Sequence, residues 1–140
     1  MKRSTLTDGR GVPLSVAIAE ANVHDQKLVA ETLGNLTVRR PRRHRRRQHL
    51  CADKGYDAKA VRTSAARRGY VVHIPRKGGD APRWHGKHAS ARRWVVERTH
   101  SWLHRFRRIL VRWEKRADTY LAMLHLACAL ITWRAVSRGA

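Results

Sequence analysis

Between Arg39 and Arg47 the chain carries seven arginines in nine positions, with Pro41 among them. No strand or helix can hide such a run, because every face would present guanidinium groups and the proline interrupts either ladder. Residues 36–48 therefore read as a solvated loop, and whatever folds must fold on either side of it. The excess extends to the whole chain, where 31 Lys+Arg against 10 Asp+Glu leave a formal net charge of +21 on 140 residues. A surface this positive repels itself and is most at ease against a polyanion, so nucleic acid is the default partner. Arg42, Arg43, Arg45 and Arg46 are the candidate phosphate contacts of the loop. Each one that engages a phosphate releases counterions, giving affinity that falls steeply with salt and carries little sequence information. At 42% hydrophobic the chain is too apolar to be only a basic tail, and one packed α/β domain is expected over residues 1–140.

The flanking segments alternate strand and helix. Arg3–Thr7 is β-prone, Asp8-Gly9-Arg10-Gly11 supplies turn chemistry, and Pro13–Ala19 alternates with period two, which predicts a hairpin. A helix follows His24-Asp25 and stops at Gly34. Gln48–Ala52 reads as a short buried strand ending at Asp53. Asp57–Arg68 reads as a helix closed by Gly69, and Tyr70–Ile74 as a second strand stopped by Pro75. That order suggests a parallel pair joined by a crossover. After a polar loop over 76–88, a C-terminal helical part (90–137) holds two helices. The first, about 91–113, carries Val95, Thr99, Trp102, Phe106 and Leu110 on one stripe. The second, about 118–136, is apolar nearly all round and is expected to be buried, with Trp102 and Trp133 in the core. Trp84, in the polar loop, is the tryptophan placed to stack on a base.

Cys51 and Cys128 form neither a disulfide scaffold nor a CxxC metal pair and read as small, unreactive core residues. No apolar run near the N-terminus reads as a signal peptide, and Leu121–Trp133 falls short of the ~20 residues that span a bilayer. A cytoplasmic protein without membrane contact is expected.

One constellation uses acids sparingly. Asp53 ends a strand, and Glu97 lies early in a long helix. Carboxylates on a sheet rim and a facing helix supply the hard oxygen ligands that a Mg²⁺ pair takes while leaving room for phosphate oxygens. Arg93, Glu97, His100 or Ser101, His104 and Arg108 recur at three- to four-residue spacing and give a polar, basic face suited to flanking phosphates. The same spacing also describes an Arg93–Glu97 pair on an ordinary solvated helix. His100 and His104 have the i,i+4 spacing of a zinc face, but no third ligand accompanies them.

Several linked blocks resemble bacterial insertion-sequence DDE transposases of the four/five group. Cys51-Ala52-Asp53-Lys54-Gly55-Tyr56-Asp57 resembles their "ADKGYD" block, and Trp94–Leu103 their "VVERTxxWL" block. Arg105-Phe106-Arg107-Arg108, Tyr120–Ala127, Asp8–Leu14 and Ala21–Asp25 match in order, so the resemblance covers almost the whole chain. It implies a ribonuclease H-like core, incomplete here: a hairpin, two further strands, flanking helices and two C-terminal helices. It implies Mg²⁺- or Mn²⁺-dependent cleavage and strand transfer at transposon ends, with Asp53 and Glu97 as catalytic metal ligands and Arg93, His104 and Arg108 on DNA. The family's tyrosine seven residues before the glutamate is Ser90 here, and its lysine seven residues after is His104. Its first catalytic aspartate lies on a strand upstream of the segment matching Arg3–Ala19. The expectation is a DDE transposase C-terminal fragment, inactive alone, that binds DNA beside the bacterial nucleoid as a homo-oligomer. The missing half would come from an upstream reading frame. The alternative is an inactive remnant that only binds nucleic acid.

Overall fold

A computed structural model describes residues 1–38, 48–76, 78 and 93–139, with Arg93 described in its backbone only. The chain opens with the expected hairpin. Strand β1 (Lys2–Thr7) pairs antiparallel with β2 (Pro13–Ala19), in a register that sets Ser4 opposite Ala17 and Leu6 opposite Ser15. The turn is built locally. Asp8 Oδ1 accepts from the backbone N–H groups of Arg10 and Val12, each at 2.8 Å, and Gly11 takes a left-handed φ of 90°.

Both faces of this hairpin are covered. Helix α1 (Asp25–Gly34) packs on the face carrying Ser4, Leu6 and Ser15. Three small polar side chains close that contact: Ser15 Oγ donates to Thr32 O at 2.5 Å, and Thr32 Oγ1 lies 2.8 Å from Ser4 Oγ. The other face meets helices α3 (Arg93–His104), α4 (Arg107–Leu110) and α5 (Ala117–Ser137). Val16 there joins Leu103, Ile109, Tyr120, Leu124, Ala127 and Ile131 in one buried cluster.

The second sheet is the expected parallel pair, β3 (Gln48–Cys51) against β4 (Tyr70–His73), with Leu50 opposite Val72. A 3₁₀ turn (Lys54–Tyr56) and helix α2 (Lys59–Arg67) make the crossover. Gly69, at φ 78°, follows the Arg68 cap as a helix-terminating glycine does. Leu50, Val61, Ala65 and Ile74 pack with Val29 and Leu33 of α1, and Leu6 of β1 joins them, so α1 roofs both sheets. The two sheets are two-stranded and separate among the described residues. The α/β class stands as expected.

Four expectations change. The helix expected over 91–113 breaks after His104, and Phe106 (φ −89°, ψ 107°) starts a new one. On a continuous helix the stripe would carry Leu110 inward, whereas the break buries Ile109 and leaves Leu110 exposed. The final helix is buried on one stripe only, and Trp133 is 70% exposed rather than in the core. At 21 residues, α5 is also long and apolar enough by length and composition to cross a membrane, although its inner stripe lies in the protein core. Cys51 is exposed because only Leu50 of β3 faces the helices; Cys51 lies on the outer face with the stacked rings of His49 and His73, 4.8 Å apart. Arg42, Arg43, Arg45, Arg46, Trp84, Ser90 and the side chain of Arg93 lie outside the described residues.

Candidate functional site

Asp53 caps the 3₁₀ turn that ends β3. Its extended backbone (φ −71°, ψ 161°) lets Oδ1 accept from Lys54 N at 2.7 Å, and the carboxylate is exposed. Three residues on, Tyr56 packs against the second core cluster, with Ser4 of β1 close enough to act on its phenol. Burial pushes the Tyr56 phenol above its ordinary pKa, and the charges of Asp25 and Asp53 push the same way, against the opposing effect of Ser4. Asp25 is held by Lys2 Nζ at 3.1 Å. The end of β3 thus meets the open end of the hairpin, where Lys2 and Ser4 lie. Asp57 anchors the loop: Arg62 reaches Asp57 Oδ1 through Nε at 3.1 Å and Nη2 at 2.8 Å, and donates to Ile74 O at 2.7 Å.

Glu97 is exposed on α3. That helix is pinned to the hairpin at two points. Buried Thr99 donates through Oγ1 to Gly11 O at 2.5 Å, and Arg98 Nη1 lies 3.4 Å from Arg10 O. At the far end, Arg3 Nη2 lies 3.2 Å from His104 Nε2. So α3 runs from the hairpin turn toward its open end, with Glu97 at the turn. His100, half-buried, has its pKa lowered, first by burial and then by the charges of Arg3 and His104. Arg3 Nη1 and Thr5 Oγ1, side by side on this face of β1, are buried without hydrogen-bond partners. The polar face expected from Arg93 to Arg108 ends at His104. Arg108 belongs to α4 and pairs with Glu114 at 3.4 Å.

The structure does not bring the two candidate carboxylates together. Asp53 approaches the open end of the hairpin beside α1, and Glu97 the turn end on the opposite face. Among the described residues no group of three or more His, Cys, Asp or Glu could hold a metal ion. Both acids are the hard oxygen donors that Mg²⁺ takes, but by themselves they do not make a site that bridges two ions. Sequence reasoning missed Tyr56 and Arg3 as the residues that tie the two acid-bearing elements to β1. The tyrosine inside the Asp53 block was the available signal for the first, and nothing local marked the second.

Known proteins account for the pattern. The family model described as "Transposase DDE domain" matches residues 1–132, a span that holds both the Asp53 and the Glu97 blocks. A protein of Burkholderia cepacia named for the transposase of insertion sequence element IS402 is 37% identical over 141 residues. The alignment takes in 99% of this chain and 65% of that protein, so the chain spans just under two thirds of the relative's length. No solved structure matches. With the hairpin, the strand-end Asp53 and the helix-borne Glu97 all inside the matched span, the chain belongs to the transposase DDE domain family.

Proposed function

We propose that this chain is part of a bacterial DDE transposase that binds DNA and contributes two of three metal-ligand carboxylates, Asp53 and Glu97, to phosphodiester cleavage and strand transfer at transposon ends. The observation that carries the reading is the family match over 1–132, which contains both acids in the expected order. The family generally uses a divalent metal, and Mg²⁺ or Mn²⁺ would supply Lewis-acid stabilisation of charge at the phosphate. The third carboxylate comes from a segment outside these 140 residues, consistent with a chain that spans 65% of its relative.

The chain's own residues divide the remaining work. Arg93, His104 and Arg108 contact the DNA backbone, and Arg42, Arg43, Arg45 and Arg46 add sequence-independent affinity from their loop. A net charge of +21 suits a protein that stays on DNA, in the cytoplasm and against the nucleoid.

The test is metal-dependent nicking of a DNA end substrate. The chain is assayed alone and fused to the polypeptide encoded just upstream, each with an Asp53→Ala control. Activity confined to the fusion and lost in Asp53→Ala supports the proposal. Salt-sensitive DNA binding without cutting in either form would leave a nucleic-acid-binding remnant.

A further inference from the structure

Trp113 is the most exposed large apolar side chain among the described residues, at 75%. Leu110 and Val111, just before it, are each more than half exposed. They lie where α4 gives way to α5, in a stretch that is tied down on both sides of the indole. Val111 N–H donates to Arg107 O at 2.9 Å, which closes α4. Arg112 Nε donates to Glu114 O at 2.8 Å and its Nη2 to Lys115 O at 2.9 Å. Arg112 Cζ also lies 5.7 Å from the ring centre of Tyr120, a buried residue of α5. Glu114 turns its carboxylate inward, 3.4 Å from Arg108 Nη1. Residues 111–116 therefore hold their shape by their own contacts and present the Trp113 ring to solvent.

The surroundings are cationic. Six of the twelve residues from Arg105 to Arg116 are Arg or Lys, all six exposed, and Glu114 is the one acid. A flat apolar ring inside a cationic rim matches the two halves of a nucleotide, with cations for the phosphates and the ring for the face of the base. Paired bases hide their faces in the duplex stack, so the match is to a base already out of it. We infer that Trp113 is a stacking platform for an unpaired base of DNA, on a loop that carries neither Asp53 nor Glu97. The inference rests on the DNA-binding reading and adds to it the part of the nucleotide that is gripped. Strand cleavage makes such bases, since each new end is free to fray. The fixed loop favours the contact, because little has to be ordered when a base arrives. A protein partner fits less well: an interface of ordinary size takes roughly 800 Å² from each side, and one indole with two aliphatic chains among arginines falls far short.

The test is binding of the whole chain to two short fluorescein-labelled strands of equal length, one with bases and one made of abasic sugar phosphates, across a range of salt. The two carry the same charge and differ only in what can stack. The chain is expected to prefer the strand with bases. Trp113→Ala should weaken binding to that strand about 5- to 150-fold, the size expected of one base–aromatic stack, and leave the abasic strand within about twofold. Trp113→Phe should recover part of the loss, and the salt slope should be the same in all three proteins because no charge changes. At 75% exposure the ring is not part of the core, so circular dichroism should be unchanged. Equal loss on both strands, or no loss on the strand with bases, would overturn the inference while leaving DNA binding in place. Failure of the unaltered chain to bind either strand would instead overturn the DNA-binding reading and the inference with it.

Discussion

Gly11→Ala is the substitution whose cost can be worked most completely from the structure. Gly11 sits at φ 90°, where an L-residue is strained by about 1–2 kcal/mol. The added Cβ would stand 3.1 Å from Val95 O and 3.2 Å from Thr99 Oγ1, closer than such contacts normally run. Neither neighbour yields easily, since Val95 O belongs to helix backbone and Thr99 is fully buried. Relief requires α3 to retreat, which stretches the 2.5 Å bond from Thr99 to Gly11 O and forfeits about 1 kcal/mol more. The sum is about 3 kcal/mol, a large share of the 5–15 kcal/mol that a domain holds in total.

With a urea dependence of 1–3 kcal/mol per molar, the unfolding midpoint should fall by about 1–3 M. Gly55→Ala is the control: its Cβ would meet nothing within 4 Å, and its stability should change by less than about 0.5 kcal/mol. Thr99→Val removes the same hydrogen bond from the other side, so the double variant should cost less than the two single costs together. Equal midpoints for Gly11→Ala and Gly55→Ala, or strict additivity with Thr99→Val, would refute the argument that this junction holds α3 to the hairpin. Because Glu97 lies two residues before Thr99, the same variant should also lower nicking by the complete transposase.

Four further outcomes are expected. His100 has a lowered pKa in the fold, so the unfolded chain binds its proton more readily; stability is therefore full above pH 6.5 and is lost as pH falls below it, and urea midpoints in His100→Gln should lose part of that slope. Arg3→Met keeps the aliphatic stem but removes a guanidinium nitrogen buried without a partner; stability near neutral pH should hold or rise, and the His100 titration, followed by NMR, should move up toward its ordinary value. Leu124→Ala, at a fully buried site, should cost about 2–5 kcal/mol and appear as a lower melting temperature. Arg62→Lys cannot make the forked contact to Asp57 and reach Ile74 O together, so it should cost about 1–3 kcal/mol in urea unfolding.

The parts of the fold that were legible in the sequence are those fixed by short-range chemistry. Asp8 and Gly11 specify their turn wherever the chain goes, and Gly69 and Pro75 bound the second strand unit as their backbone preferences require. The break at Phe106 was not legible. The apolar spacing continues on paper to Leu110, but in the fold Ile109 enters the cluster with Leu124 and Leu110 stays exposed. The outer face of α5 was misread for a related reason: an apolar helix reads as buried, and what covers its second face is not in its own periodicity. The blocks that hold Asp53 and Glu97 were legible as family blocks, but the packing of their elements was not, because it depends on which face of the hairpin each one covers.

That packing has a mechanical meaning. Glu97 stays with the hairpin, since α3 is fastened to it at Gly11. Asp53 travels with β3, α2 and β4, since Arg62 ties the loop behind it to Ile74. The sheets share no ladder among the described residues and meet through α1, Leu6 and Tyr56, contacts that are mostly apolar and tolerate sliding better than paired strands do. On the proposed reading a further segment of the protein contributes to the site, and the placement of the two acids relative to each other depends on what that segment sets between the two sheets. Leu6 and Tyr56 pack against the cluster that joins the two sheets, so Leu6→Ala should loosen that junction and lower stability by about 1 kcal/mol or more, read from the urea midpoint.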